Sequence, residues 1–178
     1  MLKKNRYSWF DLYKYSLKLG LRYIPKLPEY HKEGLKRLLI PMDIARYFEL
    51  PATANALEIR SKDKILDLSS AKLLSLFLCE KSNSEVIAVD MWEKEINNWK
   101  TFVKTIDQKK TNLSFLTLEV ADGRCLTYPD EYFDKIYSIS VLEHIPDDGD
   151  TRTIIELARV LKKGGVLVIT VPYSENMS

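Results

Sequence analysis

The stretch that decides the fold is KILDLSSAKLLSLFL, residues 64–78. Its first five residues form a short apolar run of the kind found in buried β-strands. A turn of small residues follows, and then an apolar stretch long enough for a helix. Strand, tight turn and helix in this order open many α/β domains that bind nucleotides. The turn contains no glycine, so the first question is whether it can still form a binding site.

Four more apolar runs follow along the chain, and helical patterns separate most of them. The predicted strands are KILDL (64–68), EVIAVD (85–90), LSFLTLEVAD (113–122), FDKIYSIS (133–140) and GVLVITVP (165–172). The predicted helices cover 71–80, 92–107 and 150–163, and only a short connection joins the third and fourth strands. This alternation predicts an α/β fold: a mostly parallel, doubly wound, Rossmann-like sheet of five strands with helices on both faces.

The polar residues at the ends of these strands predict a ligand crevice. Ligands of open parallel sheets bind outside the carboxyl ends of the strands, where the strand order reverses. Asp90 ends the second strand, where a carboxylate can accept hydrogen bonds from both hydroxyls of a ribose; capping the next helix is the alternative. Asp122 and Gly123 end the third strand, where a carboxylate can accept from the amine of an adenine, although Asp-Gly also forms ordinary turns.

Composition limits the class of protein. Of 178 residues, 46% are hydrophobic and 29% are charged, as in ordinary globular domains. No apolar run approaches the roughly 20 residues needed to cross a bilayer, and the N-terminus lacks a secretory signal pattern. Two cysteines, Cys79 and Cys125, form no disulfide or metal-binding pattern with the two histidines. A cytoplasmic protein without a metal site is therefore predicted.

Residues 1–60 are predicted to form a helical arm or lid before a domain at 61–178. The net charge of +2 conceals a basic arm, since residues 1–40 hold ten Lys or Arg against three Asp or Glu. Over residues 6–24 one helical face carries apolar side chains and another carries cations. The apolar set is Phe10, Tyr13, Leu17, Leu21 and Ile24, and the cations are Lys14, Lys18 and Arg22. A helix packed on the domain, or on a second copy in a homo-oligomer, is favoured over peripheral contact with a membrane, and nucleic-acid binding is not expected.

Two longer phrases add a family resemblance. YPDEYFDKIYSISVLEHI at 128–145 and ELARVLKKGGVLVITVP at 156–172, together with the features above, resemble the class I S-adenosylmethionine-dependent methyltransferases, in particular their small-molecule branch. The resemblance covers residues 64–172 and implies S-adenosylmethionine as the cofactor. The candidate cofactor-binding residues are Asp67, Ser69, Ser70, Ala71, Asp90, Met91, Asp122, Gly123 and Ser138.

The opening turn departs from that family. Ser69, Ala71 and Leu73 stand where the family has glycines. Since S-adenosylmethionine carries no phosphate, this loss argues against an NAD-dependent enzyme more strongly than against a methyltransferase. A degenerate, non-catalytic interaction module is the alternative. The chain also ends soon after the fifth strand, so the family's last antiparallel strands are expected to be missing and the chain to be a truncated form.

The resemblance implies methyl transfer to a small-molecule, lipid or sugar-derived acceptor. A sulfonium already activates its methyl group, so the main task of the protein is to position the acceptor. His144, after the fourth strand, is the candidate base for an acceptor that must lose a proton; shaping the pocket is the alternative. Arg46, on the helix before the first strand, is a candidate partner for the cofactor carboxylate, and a solvated helix face is the alternative.

Overall fold

The computed structural model of the chain describes residues 6–23, 44–106 and 112–172. Two helices, α1 (Trp9–Tyr23) and α2 (Ile44–Ala56), precede the sheet. The elements that follow are β1 (Lys64–Leu68), α3 (Lys72–Ser82), β2 (Glu85–Asp90), α4 (Glu93–Ile106), β3 (Leu116–Val120), β4 (Phe133–Ile139), α5 (Gly149–Val160) and β5 (Leu161–Thr170). Short 3₁₀ turns at Asn112–Phe115 and Leu142–His144 precede β3 and follow β4.

The five strands form one sheet in the order β3-β2-β1-β4-β5. Every neighbouring pair is parallel, and β1 lies at the centre. The predicted α/β architecture is therefore confirmed. The strand order reverses between β1 and β4, which places the expected crevice at the carboxyl ends of the central strands.

Helices cover both faces of the sheet and bury a core on each. On one face α1, α2, α3 and α4 pack against side chains such as Ile65, Val86 and Tyr137. On the other face Leu157 and Val160 of α5 pack against the opposite side chains of the same strands. Because β1 is covered on both sides, four of its five residues are buried. The turn after β1 therefore starts from a strand that packing restrains on both faces.

The boundary between α5 and β5 differs from the prediction. The helix ends at Val160, earlier than the predicted 163, and β5 begins at Leu161, which pairs with Phe133. The pairing resumes at Lys135 with Val166, so 162–165 form an irregularity in which Gly164 has a φ of +76°. The helical spacing of apolar residues continues to Leu161, so the sequence does not show that Leu161 already pairs with β4.

The helix α1 buries a face other than the predicted one. Leu12, Tyr15 and Leu19 are buried, whereas Phe10 and Leu21 are 46% and 63% exposed. Both faces of this helix are apolar, so periodicity alone does not decide which one meets the core. Ile24 and the helical pattern at 31–40 lie outside the described residues.

The helix α2 is longer than its sequence pattern indicates. It continues through Pro51 to Ala56, and the side-chain amide of Asn55 donates to the carbonyl of Pro51 at 2.8 Å. Within the described ranges, none of the helices combines the length and the apolarity that a bilayer crossing requires.

Candidate functional site

A cavity of about 520 Å³ opens at the carboxyl ends of the central strands. This volume falls within the roughly 300–1,000 Å³ typical of small-molecule sites. Its walls come from the ends of β1 and β2 and from the segments after β3 and β4. The lining residues are Leu68, Ser69, Asp90, Met91, Trp92, Ala121, Asp122, Gly123, Arg124, Ser140, Val141, His144, Ile145 and Pro146. The cavity therefore lies where the strand pattern placed the crevice.

The turn after β1 keeps the backbone of a glycine turn without a glycine. Ser69 lines the cavity and has a φ of +52°, in the left-handed region that glycine adopts most easily. Its amide donates to the carbonyl of Val89 at 2.8 Å, which ties the turn to β2. A serine in this conformation costs about 1 kcal/mol more than a glycine. The turn is thus formed, and its first residue faces the cavity.

Asp67 lies behind the cavity wall, fully buried. One carboxylate oxygen accepts the amide of Ser70 at 2.9 Å. The other accepts the hydroxyl of Ser75 and lies 3.5 Å from the ammonium of Lys72, which is itself 3% exposed. The hydroxyl of Ser75 also meets that of Tyr137 at 2.8 Å. Asp67 therefore supports the turn from inside and does not line the cavity.

Two predicted serines are also bonded inside the protein. The hydroxyl of Ser70 accepts the amide of Ile139 at 2.8 Å and donates to the carbonyl of Leu68 at 3.3 Å. The hydroxyl of Ser138 donates to the same carbonyl at 3.3 Å. These bonds join the ends of β1 and β4. Ser70, Ser138 and Ala71 do not line the cavity.

Asp90 and its neighbours form one wall of the cavity. The Oδ1 atom of Asp90 accepts the amide of Trp92, the residue before α4, at 3.0 Å. Within the described part of the chain, its Oδ2 atom has no hydrogen-bond donor. Met91 and Trp92 are 55% and 66% exposed beside it. The hydrogen bond at Oδ1 lies next to the start of α4, and the ribose role of Asp90 stays a prediction.

Asp122 is paired with Arg124, a residue that sequence reasoning did not select. The guanidinium Nη2 lies 2.7 Å from Oδ2, and Nε and the amide of Arg124 lie 3.0 and 2.9 Å from Oδ1. These hydrogen bonds hold the pKa of the Asp122 carboxyl below its ordinary value. The next residue, Gly123, packs closely, because a Cβ there would lie 2.9 Å from a methyl of Leu68.

The two remaining candidates, His144 and Arg46, lie near the segment that follows β4. His144 lines it with a side chain that is 77% exposed, and its Nε2 lies 3.9 Å from a carboxylate oxygen of Glu143. Arg46 does not line the cavity but donates to Glu49 at 2.5 Å and lies 3.4 Å from the hydroxyl of Ser140, which does. Among the described residues, no three His, Cys, Asp or Glu side chains are grouped as metal ligands.

Sequence reasoning missed three polar contacts near the site: Lys72 with Asp67, Arg124 with Asp122, and Glu49 with Ser140 and Thr170. Neither Lys72 nor Glu49 gave a signal in the sequence. A lysine at the start of a helix is expected to be exposed, and Lys72 is buried. The contacts of Glu49 with Ser140 and Thr170 span 91 and 121 residues. Only the tertiary fold brings α2 to the ends of β4 and β5.

Comparison with known proteins gives consistent matches. A family model described as a methyltransferase domain matches residues 66–169. A 27-O-demethylrifamycin SV methyltransferase from Amycolatopsis mediterranei is 27% identical over 119 residues, which cover 65% of this chain and 41% of that protein. The chain thus spans less than half the length of that relative.

Solved structures show the same fold. An S-adenosylmethionine-dependent methyltransferase from Methanosarcina mazei has a TM-score of 0.56 and 27% identity, over 66% of this chain and 56% of that one. The [4+2]-cyclase SpnF has a TM-score of 0.59 at 19% identity, over 67% of this chain and 42% of that one. The cyclase shares the fold alone, so the reaction must be argued from the site.

Proposed function

Because the chain belongs to the class I S-adenosylmethionine-dependent methyltransferases, we propose that it transfers a methyl group from this cofactor to a small-molecule, lipid or sugar-derived acceptor. The observation that carries the proposal is the cavity with Asp90 and Asp122 at the ends of neighbouring strands. Asp90 ends β2 and Asp122 follows the neighbouring strand β3, so a bound adenosine would place its ribose at the first acid and its adenine at the second. The non-catalytic alternative has no observation in its favour.

The cavity fits the adenosine part of the cofactor. Asp90 would accept hydrogen bonds from the ribose hydroxyls through its Oδ2 atom, and Met91 and Trp92 would cover the adenine with apolar surface. Asp122 would accept from the adenine amine, with Gly123 keeping the wall thin. Ser69 would border the amino-acid end, while Asp67, Ser70, Ala71 and Ser138 would support the turn from behind.

The side chains at the mouth would act on the acceptor. When bound, S-adenosylmethionine supplies a methyl group that its sulfonium already activates. The protein then has to orient an acceptor atom in line with that group and keep water away. His144, exposed at the cavity rim, would take up the proton of an acceptor hydroxyl or amine at a ring nitrogen. Arg46 is proposed to face the cofactor carboxylate.

Titration calorimetry with S-adenosylmethionine, S-adenosylhomocysteine and NAD tests the proposal. We expect both sulfur compounds to bind and NAD not to bind. Asp90→Ala should weaken both sulfur ligands roughly 10–100-fold, since it removes hydrogen bonds to a charged group. The control is Glu95→Gln, an exposed acid on α4, which should bind as the wild type does.

Release of S-adenosylhomocysteine in the presence of pooled metabolites and lipids would then identify the acceptor class. Absence of binding by either sulfur ligand would refute the proposal. Binding without any turnover across these pools would instead favour the interaction module.

A further inference from the structure

A second cavity, of about 320 Å³, lies between α1 and the end of α3. None of its described lining residues lines the cavity at the strand ends. Its floor is aromatic, because Tyr7 and Tyr15 pack edge-on against Phe77 there. The two tyrosines are only 9% and 4% exposed. This cavity is therefore separate from the proposed cofactor site and has a buried floor of its own.

The rim of this second cavity is basic. Among the described residues, its cations are Arg6, Lys14, Lys18 and Lys81, and all four are exposed. Lys14 and Lys18 are one turn apart on α1, and Lys81 lines the cavity from α3. Within the described part of the chain, neither Lys18 nor Lys81 forms an ion pair. Two ammonium groups are thus available for an anion.

The two described acids at the rim already have partners. Asp11 accepts the amide and the hydroxyl of Ser8 at 2.8 and 2.7 Å, and these bonds hold the pKa of its carboxyl below the ordinary value. Glu80 lies 3.0 Å from Nη1 of Arg22. Since the Glu80–Arg22 pair is neutral, the described rim holds four positive charges against one negative charge.

The floor adds two hydrogen-bond donors. The hydroxyls of Tyr7 and Tyr15 are buried and have no hydrogen-bond partner among the described residues. Burial, and for Tyr15 also the nearby Glu80, raises the pKa of both phenols, so both stay protonated at neutral pH. Buried polar groups in native proteins nearly always have a partner, and a ligand oxygen can be one. Unpaired donors beneath unpaired cations favour an anion as the ligand.

We propose that this cavity binds the phosphate of a phosphate monoester, either a soluble ester or the headgroup of an anionic lipid. Lys18 and Lys81 pair with its oxygens, and Tyr7 and Tyr15 donate to it from the floor. A phosphate monoester carries about −1.5 to −2 charge and three acceptor oxygens at pH 7, which suits several separate ammonium groups. A carboxylate is instead held best by one forked guanidinium. The volume also leaves room for the group that carries the phosphate.

Titration calorimetry with glycerol 3-phosphate tests the soluble source. We expect Lys18→Gln/Lys81→Gln to weaken binding at least about tenfold, because it removes two charged donors. The urea midpoint should stay at the wild-type value, since both lysines are exposed. The matched control is Lys94→Gln, the same change at an exposed lysine of α4, which should bind as the wild type does.

Tyr15→Phe separates binding from stability. It removes one hydroxyl that has no partner within the described structure, so the urea midpoint should not fall. If the hydroxyl donates to the phosphate, glycerol 3-phosphate should bind roughly 3–10-fold more weakly. A purely structural tyrosine would show the opposite pattern, with lower stability and unchanged binding.

Vesicles test the lipid source. Trp9 and Phe10 are 52% and 46% exposed on α1, and the Lys14 ammonium at the rim lies 4.1 Å from the Phe10 ring centroid. Exposed aromatic side chains beside lysines suit the surface of an anionic bilayer. Phosphatidylcholine vesicles that contain phosphatidic acid should sediment the wild type but not Lys18→Gln/Lys81→Gln. Phosphatidylglycerol, whose phosphate is a diester, should bind more weakly.

Binding that depends on Lys18 and Lys81 in either experiment supports the site and identifies the source of the phosphate. The proposal is overturned if neither probe binds, if the double variant binds as the wild type does, or if phosphatidylglycerol replaces phosphatidic acid fully. S-Adenosylhomocysteine should bind the double variant as it binds the wild type, so these outcomes leave the proposed function untouched.

Discussion

Asp67 of β1 and Lys72 of α3 stand on either side of the turn after β1 and depend on each other. Both side chains are buried, with 0% and 3% exposure, and lie 3.5 Å apart. A buried charge is costly without a partner, and each of these has the other together with neutral hydrogen-bond partners. The Lys72 ammonium also lies 3.1 and 3.5 Å from the carbonyls of Ser70 and Val89. The buried pair therefore ties the turn after β1 to the end of β2.

Removing one charge of this pair should destabilise the protein strongly. We expect Asp67→Ala to lower the free energy of unfolding by about 3–5 kcal/mol, because the Lys72 ammonium is left buried without its counter-charge. Urea denaturation measures this change. The double variant Asp67→Asn/Lys72→Met should lose less than the sum of its single variants. Strict additivity would show that the two residues act separately.

Arg124 should compete with a ligand for Asp122. Its side chain and amide already occupy both oxygens of that carboxylate. If Asp122 accepts from an adenine amine, Arg124→Ala should tighten S-adenosylhomocysteine binding roughly 3–10-fold, and Asp122→Asn should weaken it by a similar factor. Calorimetry checks both, with Arg60→Ala, an exposed arginine before β1, as the control. Weaker binding in Arg124→Ala would show that the pair acts as one unit.

At the scale of elements, α5 holds the connection between β3 and β4. Glu156 accepts the amide of Leu126 at 2.8 Å and a guanidinium nitrogen of Arg159 at 2.7 Å. Arg159 in turn donates to the carbonyls of Leu126 and Tyr128 at 3.0 and 2.9 Å. A connection without a helix thus obtains its hydrogen bonds from a neighbouring helix.

This contact should make stability depend on pH. The hydrogen bonds from Arg159 lower the pKa of Glu156 below its ordinary 4.5. A lowered pKa stabilises the fold fully above the ordinary value, and that stability is lost as pH falls through the folded-state pKa. Glu156→Gln should therefore cost about 1–2 kcal/mol at pH 7 and much less near pH 3. Urea midpoints at both pH values measure this, and a constant difference would contradict it.

The sequence predicted the strands and most helices well, but it predicted poorly which residues contact each other across the fold. Strands such as EVIAVD are continuous apolar runs because both faces are covered, and that signal is local. The position of Asp90 and Asp122 at the cavity was predictable, because both lie at the ends of predicted strands; their binding roles stay predictions. Glu49 and the start of β5 at Leu161 were not predictable, because their contacts join residues far apart in the chain. The predicted buried face of α1 was wrong: the buried face is the one on which Tyr15 meets Phe77 of α3.

At the scale of the whole molecule, α1 is part of the same core as the sheet. Tyr7 and Tyr15 pack edge-on against Phe77, with ring centroids 5.2 and 5.4 Å away. Leu12 and Leu19 are fully buried in the same cluster as Ile65 of β1. An arm that separates from the domain would expose this cluster to water. The division at residue 60 remains a prediction, and the packing argues for one cooperative unit.

Unfolding experiments can decide between one unit and two. Trp9 lies on α1, so a Trp92→Phe/Trp99→Phe background reports α1 alone by fluorescence, while circular dichroism reports all helices. We expect the two urea transitions to coincide. Leu12→Ala should shift both by about 2–4 kcal/mol, because it leaves a cavity in the shared core. Leu21→Ala, the same change at a side chain that is 63% exposed, should shift neither by more than about 0.5 kcal/mol. An earlier Trp9 transition, shifted alone by Leu12→Ala, would instead make α1 a separate unit that can leave the sheet.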